Sequence, residues 1–220
     1  MRCSLPRLAA LCLILSLVGG CSSTYYDAME KLGYPKRDLL VDRVAKTEEA
    51  QTAAKEQFAS ALDHFLDVTK VDGGELERRY KDLAGELKRS EERAKAVRDR
   101  IAAVQDVANA LFREWKAELS QYTNSDLRNQ SERELEDTER RYDDLMGLMQ
   151  RAADRMDPVL ANFRDQVLFL KHNLNARALA SLDTTNRDLR GDIDRLISDM
   201  EASIRESQAF IQGMKPPQAP

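Results

Sequence analysis

The chain has 220 residues, of which 33% are charged and only 6% are aromatic, with 9 Gly and 6 Pro. So few turn-forming and aromatic residues, beside abundant Ala, Leu, Glu and Arg, favour long helices over a sheet, and regularly spaced apolar residues argue against disorder. The formal net charge of −4 disfavours nonspecific nucleic-acid binding and gives no attraction to anionic lipid headgroups.

The N-terminus has the layout of a secretory signal peptide. Arg2 and Arg7 lie beside an apolar stretch, Leu8 to Val18, that is shorter than the roughly 20 residues of a membrane span. The stretch ends in Leu17-Val18-Gly19-Gly20-Cys21, which resembles a bacterial lipobox: an aliphatic residue and small residues before a cysteine. We therefore predict that residues 1–20 are a lipoprotein signal peptide and that Cys21 is lipidated. An ordinary signal peptide followed by a chance cysteine is the alternative.

Cysteine usage agrees with lipidation. Cys3 and Cys12 fall in the predicted signal peptide, which leaves Cys21 alone in the mature chain. A lone thiol in an oxidising compartment would be reactive, whereas an acylated one is not. Residues 21–220 carry 32 basic and 38 acidic side chains, a formal charge of −6, so membrane attachment has to come from lipid. By analogy with Gram-negative sorting, Ser22 predicts a periplasm-facing position at the outer membrane.

Helix breakers divide the mature chain into three parts. Residues 21–36 form an N-terminal segment, in which Thr24 is predicted to cap a short helix that Gly33 terminates. Residues 37–214 are predicted to form a helical bundle domain. Residues 215–220 contain two adjacent prolines and are predicted to be a disordered tail.

The first two long helices are predicted from unbroken apolar seams. The first runs from about Asp38 to Lys70 and ends at Asp72-Gly73-Gly74, since adjacent glycines favour a turn. The second has the strongest pattern in the chain, with seam residues from Leu76 to Tyr122 at alternating steps of four and three. Such a sustained seven-residue repeat specifies a left-handed coiled-coil seam.

The third and fourth helices are less clearly separated. The third should start near Ser125, after a turn, and Asp157-Pro158 should kink it or restart it. It is predicted to stop around Ser181 to Thr185, where Thr184 or Thr185 would cap the fourth helix. The fourth should continue to Pro216-Pro217.

Short connections imply antiparallel neighbours, so the fold class is all-α: an elongated antiparallel bundle with a coiled-coil hairpin about 75 Å long. The two shorter helices should lie against one end of the hairpin, the wide end. Val167-Leu168-Phe169-Leu170 is apolar all round, which predicts neighbours on every side there. Ser131 to Asp144 has a narrow seam, which predicts a two-helix stalk.

One broad apolar stripe needs a further cover. Ile101 to Trp115 is wider than a two-helix seam, although it lies part-way towards the stalk. Two covers are open: the N-terminal segment, with Tyr25, Tyr26, Met29 and its other apolar residues, or a second copy of the chain.

The sequence holds no recognisable catalytic or phosphate-binding motif, and we predict neither enzyme activity nor a cofactor. His64 and His172 would lie at similar heights in the wide end. A metal site would need two or more further ligands near them, and the Glu-x-x-His motif of di-iron bundles does not occur.

One polar cluster closes the third helix and is the candidate partner-binding site. Its members are Lys171, His172, Asn173, Asn175 and Arg177. If the helices alternate in direction, the cluster and the predicted first turn meet at the same tip of the wide end. The alternative is that the basic side chains merely complement the carbonyls at a helix C-terminus.

Three stretches carry a resemblance to a known family. They are Tyr25 to Lys31, Lys36 to Val44, and Asp165 to Ala178, which reads DQVLFLKHNLNARA. On these the chain resembles the domain-of-unknown-function 2959 family of bacterial lipoproteins, over essentially the whole mature length. The resemblance implies the helical fold and the lipoprotein assignment and supplies no catalytic residues.

Together these features predict a non-enzymatic, lipid-anchored periplasmic scaffold or adaptor that binds a protein partner or a second copy of itself. The alternative is a ligand- or metal-binding helical module of the cell envelope. The core at Phe58, Phe65, Val167 and Leu170 discriminates, because a core packed to protein density leaves no room for a ligand.

Overall fold

The computed structural model describes residues 21–68, 76–173 and 176–214, with side chains for 25–26, 28–67, 77–173 and 187–214. These residues form five α-helices and a 3-10 turn at Leu119–Gln121, without a strand among them. The helices are α1 (Cys21–Lys31), α2 (Lys36–Val68), α3 (Leu76–Glu118), α4 (Ser125–His172) and α5 (Ala176–Met214). The predicted all-α class is confirmed.

Local signals account for several helix ends. Gly33 follows α1 with a φ of +90°, a conformation that costs glycine little. Thr24 is inside α1 rather than at its N-cap. α4 begins at Ser125 as predicted, because the side chain of Asn124 accepts hydrogen bonds from the backbone N–H groups of Asp126 and Leu127.

The predicted break at Asp157-Pro158 was wrong in its stronger form, because α4 does not restart there. The helix is continuous from Ser125 to His172 with Pro158 inside it. Proline removes one backbone hydrogen bond, but Met156 and Val159 on either side are fully buried in the core. Burial of these flanking side chains holds the helix together across the missing bond.

The boundary between α4 and α5 was also predicted wrongly. α4 ends at His172, and the stretch from Ser181 to Thr185 lies inside α5. Asn173 closes α4, since its backbone N–H donates to the carbonyl of Leu170 and its side-chain amide to that of Phe169. An asparagine that satisfies the last carbonyls of a helix ends it earlier than the apolar pattern indicates.

Four long helices pack in a closed ring: α2 on α3, α3 on α4, α4 on α5, and α5 on α2. Phe65 of α2 meets Phe163 of α4 edge to face, with ring centroids 6.0 Å apart. In the same core, the side chains of Gln51 in α2 and Ser203 in α5 exchange hydrogen bonds of 2.9 and 3.1 Å. This polar pair is fully buried and fixes the register of α2 against α5.

Of the described helices, only α3 and α4 continue beyond the level at which α2 begins and α5 ends. At that level Arg37, near the start of α2, donates to the carbonyl of Met214, the last residue of α5. Further along the hairpin, every residue from 120 to 130 is exposed. The outer end of the predicted stalk is therefore confirmed, and we define the stalk as residues 116–134. The inner part of the predicted stretch, Ser131 to Asp144, is not a bare pair of helices, because the Arg141 side chain lies against Gly213 of α5.

The broad stripe on α3 is covered by the N-terminal segment, one of the two predicted covers. α1 packs on α3, and Tyr26 is 6% exposed within the hydrophobic core. Met29 lies partly buried against the same core. No described helix has an apolar stretch long enough to cross a bilayer.

The expectation that Val167 to Leu170 has neighbours on every side was wrong. Val167 and Leu170 are buried, but Leu168 is 49% and Phe169 39% exposed. Each helix of a four-helix ring touches two neighbours, so its outer face stays in water whatever residues it carries. An apolar outer face therefore calls for a separate explanation.

Candidate functional site

The predicted partner-binding cluster lies at the end of α4. Lys171 and His172 are exposed, and Asn173 is half-buried. The side-chain amide of Asn173 donates to the carbonyl of Phe169 at 2.9 Å, so this residue has a capping role. Asn175 and the side chain of Arg177 lie outside the described residues, as does the predicted turn at residues 72–74, and the convergence of the cluster stays a prediction.

The cluster borders an apolar surface that the sequence pattern did not identify as exposed. Leu168 and Phe169 are separated from Lys171 and His172 only by the buried Leu170, and these four residues are exposed. We call these four residues the α4-end surface. Its signal in the sequence was the run of four apolar residues, of which a helix in a ring can bury only about half.

Cys21 is the first residue of α1, and two contacts fix this helix on the bundle. Tyr26 inserts its ring into the core, and Lys36 bridges two carboxylates at the junction of α1, α2 and α3. The Lys36 ammonium lies 2.5 Å from Glu30 and 2.9 Å from Glu114, and its side chain is only 3% exposed. Removal of either contact would loosen the connection between residue 21 and the bundle.

The electrostatics of this junction follow from burial. Burial, with the nearby Asp106 carboxylate, raises the pKa of Tyr26 above its ordinary value. Burial and the neighbouring Glu30 carboxylate also raise the pKa of Glu114, against the opposing effect of Lys36. The junction is therefore an ion cluster with one amine between two carboxylates, an arrangement suited to holding helices together.

A cleft of about 260 Å³ opens beside the Lys36 bridge. Trp115 lines it, and its indole N–H donates to the Ser131 hydroxyl at 2.8 Å. The sequence did not indicate this cleft, because it depends on where α1 docks. Its lining consists of Glu30, Pro35, Lys36, Arg37, Leu111, Glu114, Trp115 and Glu118.

A second buried ion lies towards the wide end. Glu86 is 5% exposed and accepts hydrogen bonds of 2.6 Å from both Gln57 and Arg89, while the His64 ring nitrogen lies 3.1 Å away. Burial raises the pKa of Glu86, but the hydrogen bonds from Arg89 and Gln57 together with the charges of Arg89 and His64 outweigh it, so the pKa is lowered overall. The sequence pattern gave no reason to separate Glu86 from the many surface acids.

The two histidines do not form a metal centre in the described part of the chain. The Nδ1 atom of His64 lies 3.1 Å from a carboxylate oxygen of Glu86 and 3.0 Å from the backbone carbonyl oxygen of Ser60. His172 is exposed at the end of α4. Among the described residues, no three His, Cys, Asp or Glu side chains are placed to hold a metal ion.

All four residues of the core that discriminates between a scaffold and a ligand-binding module are buried. Phe58 and Phe65 are 0% exposed, Leu170 is 1% and Val167 is 5%. Phe65 lies against Phe163, so the rings of two helices interlock at this height.

Comparison with known proteins identifies the chain by family alone. Neither the curated proteins nor the solved structures yield a match. The family model described as "Protein of unknown function (DUF2959)" matches residues 25–214, from the second turn of α1 to the last residue of α5. The chain therefore belongs to the DUF2959 family, an all-α family of uncharacterised function.

Proposed function

We propose that the protein is a non-enzymatic scaffold or adaptor of the bacterial envelope, held at the outer membrane by lipid on Cys21 and facing the periplasm. The observation that carries the proposal is the docking of α1. Cys21 begins a helix that is fixed to the bundle through Tyr26 and Lys36. Acyl chains on that residue would therefore hold the entire bundle at the membrane, at about 0.8 kcal/mol per buried methylene.

The shape of the bundle supports a scaffold. Leu127 in the stalk and Leu168 in the α4-end surface are both exposed apolar residues on α4. Their separation of 41 residues corresponds to about 62 Å along one helix. Exposed apolar residues at two distant places on a stiff helix suit a protein that holds two partners apart.

Lipidation is tested by replacing cysteines one at a time. Cys21→Ala should abolish acyl labelling and stop cleavage before residue 21. Cys12→Ala is the matched control, since it removes a cysteine from the predicted signal peptide and should leave labelling intact. Labelling that persists in Cys21→Ala would refute the lipid anchor.

Partner binding is tested by photocrosslinking in intact envelopes. A photoreactive residue at Leu168 should give a discrete crosslinked species, because the α4-end surface combines apolar and basic side chains. The same photoreactive residue at Gly147 is the control. This position is exposed in the middle of α4, and a Cβ added there would have no atom within 4 Å. Arg177→Ala should remove the crosslink while the melting temperature stays within a few degrees. Equal crosslinking at both positions would count against the site.

The alternative is a ligand- or metal-binding module, and the cleft beside Trp115 favours its ligand form. Trp115 is the single tryptophan of the chain, so its fluorescence reports on that cleft alone. Ethanolamine is a suitable probe, because an ammonium group could lie between the indole and the Glu118 carboxylate, whereas Glu30 and Glu114 already pair with Lys36. A saturable change in emission that Glu118→Gln weakens would support the module over the scaffold.

A further inference from the structure

One face of α1 is apolar, exposed and aligned with residue 21. At 3.6 residues per turn, positions 21, 25 and 28 of α1 and position 32, the residue after it, fall within about 60° of one another around the helix axis. Leu32 continues the helical turn, because its backbone N–H donates to the carbonyl of Ala28. Tyr25 is 48% and Leu32 73% exposed, and Ala28 is exposed between them. Tyr26 and Met29 lie on the adjoining face, against the core. The helix is thus apolar on two faces, and the bundle covers one.

Exposed large apolar residues are concentrated around this face. Seven occur among the described residues, and three of them, Tyr25, Leu32 and Tyr34, lie within ten residues of sequence. The Tyr25 ring is held in place, since it packs edge to face on the buried Tyr26 with centroids 5.2 Å apart. Tyr34 is 55% exposed just after Gly33. We call Tyr25, Ala28, Leu32 and Tyr34 the outer stripe.

The docking of α1 also fixes the height of residue 21 along the bundle. Glu30 meets Glu114 through Lys36, and Tyr26 lies within electrostatic reach of Asp106, so α1 runs in the same direction as α3. Residue 21 lies five positions before Tyr26, about 7.5 Å further back. That places it beside the middle of α3, which spans residues 76–118, and away from both ends of the bundle.

We propose that the outer stripe lies in the interface of a lipid bilayer and that the bundle is held with its long axis along the membrane. The inference rests on the proposed lipidation of Cys21, which would put acyl chains on the same helical face. Tyrosine suits the interface because its ring is apolar and its hydroxyl stays hydrated. A chain of formal charge −6 after residue 20 gains nothing from anionic headgroups, so apolar insertion provides the contact.

Spin labels measure this placement. The lipidated full chain is reconstituted in phosphatidylcholine vesicles with a nitroxide at Ala28→Cys or, as control, at Ser198→Cys. Ser198 is exposed on α5, which packs on α2 and α4 and so lies across the ring from α3. The label at 28 should collide more with oxygen than with a water-soluble nickel chelate, and the label at 198 should show the reverse.

Polarised infrared spectroscopy of the same vesicles measures the bundle axis. The amide signal should show helices lying in the membrane plane. The variant Tyr25→Ser/Leu32→Ser/Tyr34→Ser should lose that alignment while the helix content is unchanged. Leu168→Ser/Phe169→Ser removes two exposed apolar side chains from α4 instead and should keep the alignment.

The mass of the N-terminal peptide distinguishes a failure of the proposed lipid anchor from a failure of the proposed membrane placement. Absence of acyl groups refutes the proposed anchor. If the acyl groups are present, two results would overturn the membrane placement. One is a label at 28 that collides with the nickel chelate as often as the label at 198 does. The other is an infrared signal from helices that stand perpendicular to the membrane plane. A label at 28 shielded from both reagents, with spin–spin broadening, also overturns it, because a second copy of the chain would then cover the outer stripe.

Discussion

The four-helix section and the stalk are built on one continuous pair of helices, yet they differ in nearly every property. Around Phe163, α4 packs against Phe65 of α2, and the seam residues of α4 are buried. Between residues 120 and 130 the same hairpin buries no residue. The seven-residue repeat passes through both regions, so the repeat defines a seam, and the number of neighbouring helices decides how much of each residue is removed from water.

The largest difference between the regions is expected for an apolar truncation. Phe163→Ala should lower the free energy of unfolding by about 3–5 kcal/mol, because it leaves a cavity beside Phe65 in a core that four helices close. Leu127→Ala in the stalk, where the side chain is 53% exposed, should cost less than about 0.5 kcal/mol. Urea denaturation followed by circular dichroism measures both. Similar losses would mean that the stalk is covered in solution.

Removal of a charge should also lower the free energy of unfolding more in the four-helix section than near the stalk, although by less than the Phe163 truncation does. Glu86→Gln in the four-helix section should cost about 1–3 kcal/mol at pH 7, since it weakens the bonds from Gln57 and Arg89. Glu139→Gln is the control in the hairpin towards the stalk. Glu139 pairs with Lys116 at 2.6 Å, but the side chains are 30% and 57% exposed, so the loss should stay within about 1 kcal/mol.

The cost of Glu86→Gln should also depend on pH. The pKa of Glu86 in the folded chain is lowered from 4.5, so its carboxylate adds stability that is present above pH 4.5 and lost as the pH falls through the lowered value. The gap between wild type and variant should therefore shrink on acidification below that pH. A gap that stays constant from neutral to acidic pH would show that the cost is one of shape and not of charge.

A polar contact at the base of the stalk should have a more local effect. Ser131→Ala removes the acceptor of the Trp115 indole N–H and should cost about 0.5–1.5 kcal/mol. Amide exchange across residues 119–128 should become faster, whereas exchange around Phe163 should not change, because a two-helix segment can open by itself. Ser120→Ala, whose hydroxyl donates only to the nearby Ala117 carbonyl, is the control. Equal acceleration by both variants would leave the Trp115 contact without a role.

Much of this architecture could be predicted from the sequence, and the failures share physical causes. Helix type, the turn before Ser125 and the bare stalk follow from periodicity and a strong cap, which act locally. The end of α4 was predicted too late because one Asn173 side chain outweighs a continuing apolar pattern. The exposure of Leu168 and Phe169, the Lys36 bridge and the cleft at Trp115 depend on which helices meet, information that no single helix carries.

The smallest expected effects on stability come from two glycine substitutions, which separate the contribution of backbone conformation from that of packing. Gly147 in α4 and Gly33 after α1 would each accept a Cβ with no atom within 4 Å, so packing cannot distinguish them. Gly147 has a helical backbone, and Gly147→Ala should stabilise the chain by about 0.5–1 kcal/mol because the unfolded state loses freedom. Gly33 has a φ of +90°, and Gly33→Ala should cost about 1–2 kcal/mol because the Cβ of an L-residue is strained there. Urea denaturation of both variants should give shifts of opposite sign. A stabilised Gly33→Ala would show that the chain after α1 adopts another backbone in solution, and α1 would then leave α3 more easily than its contacts indicate.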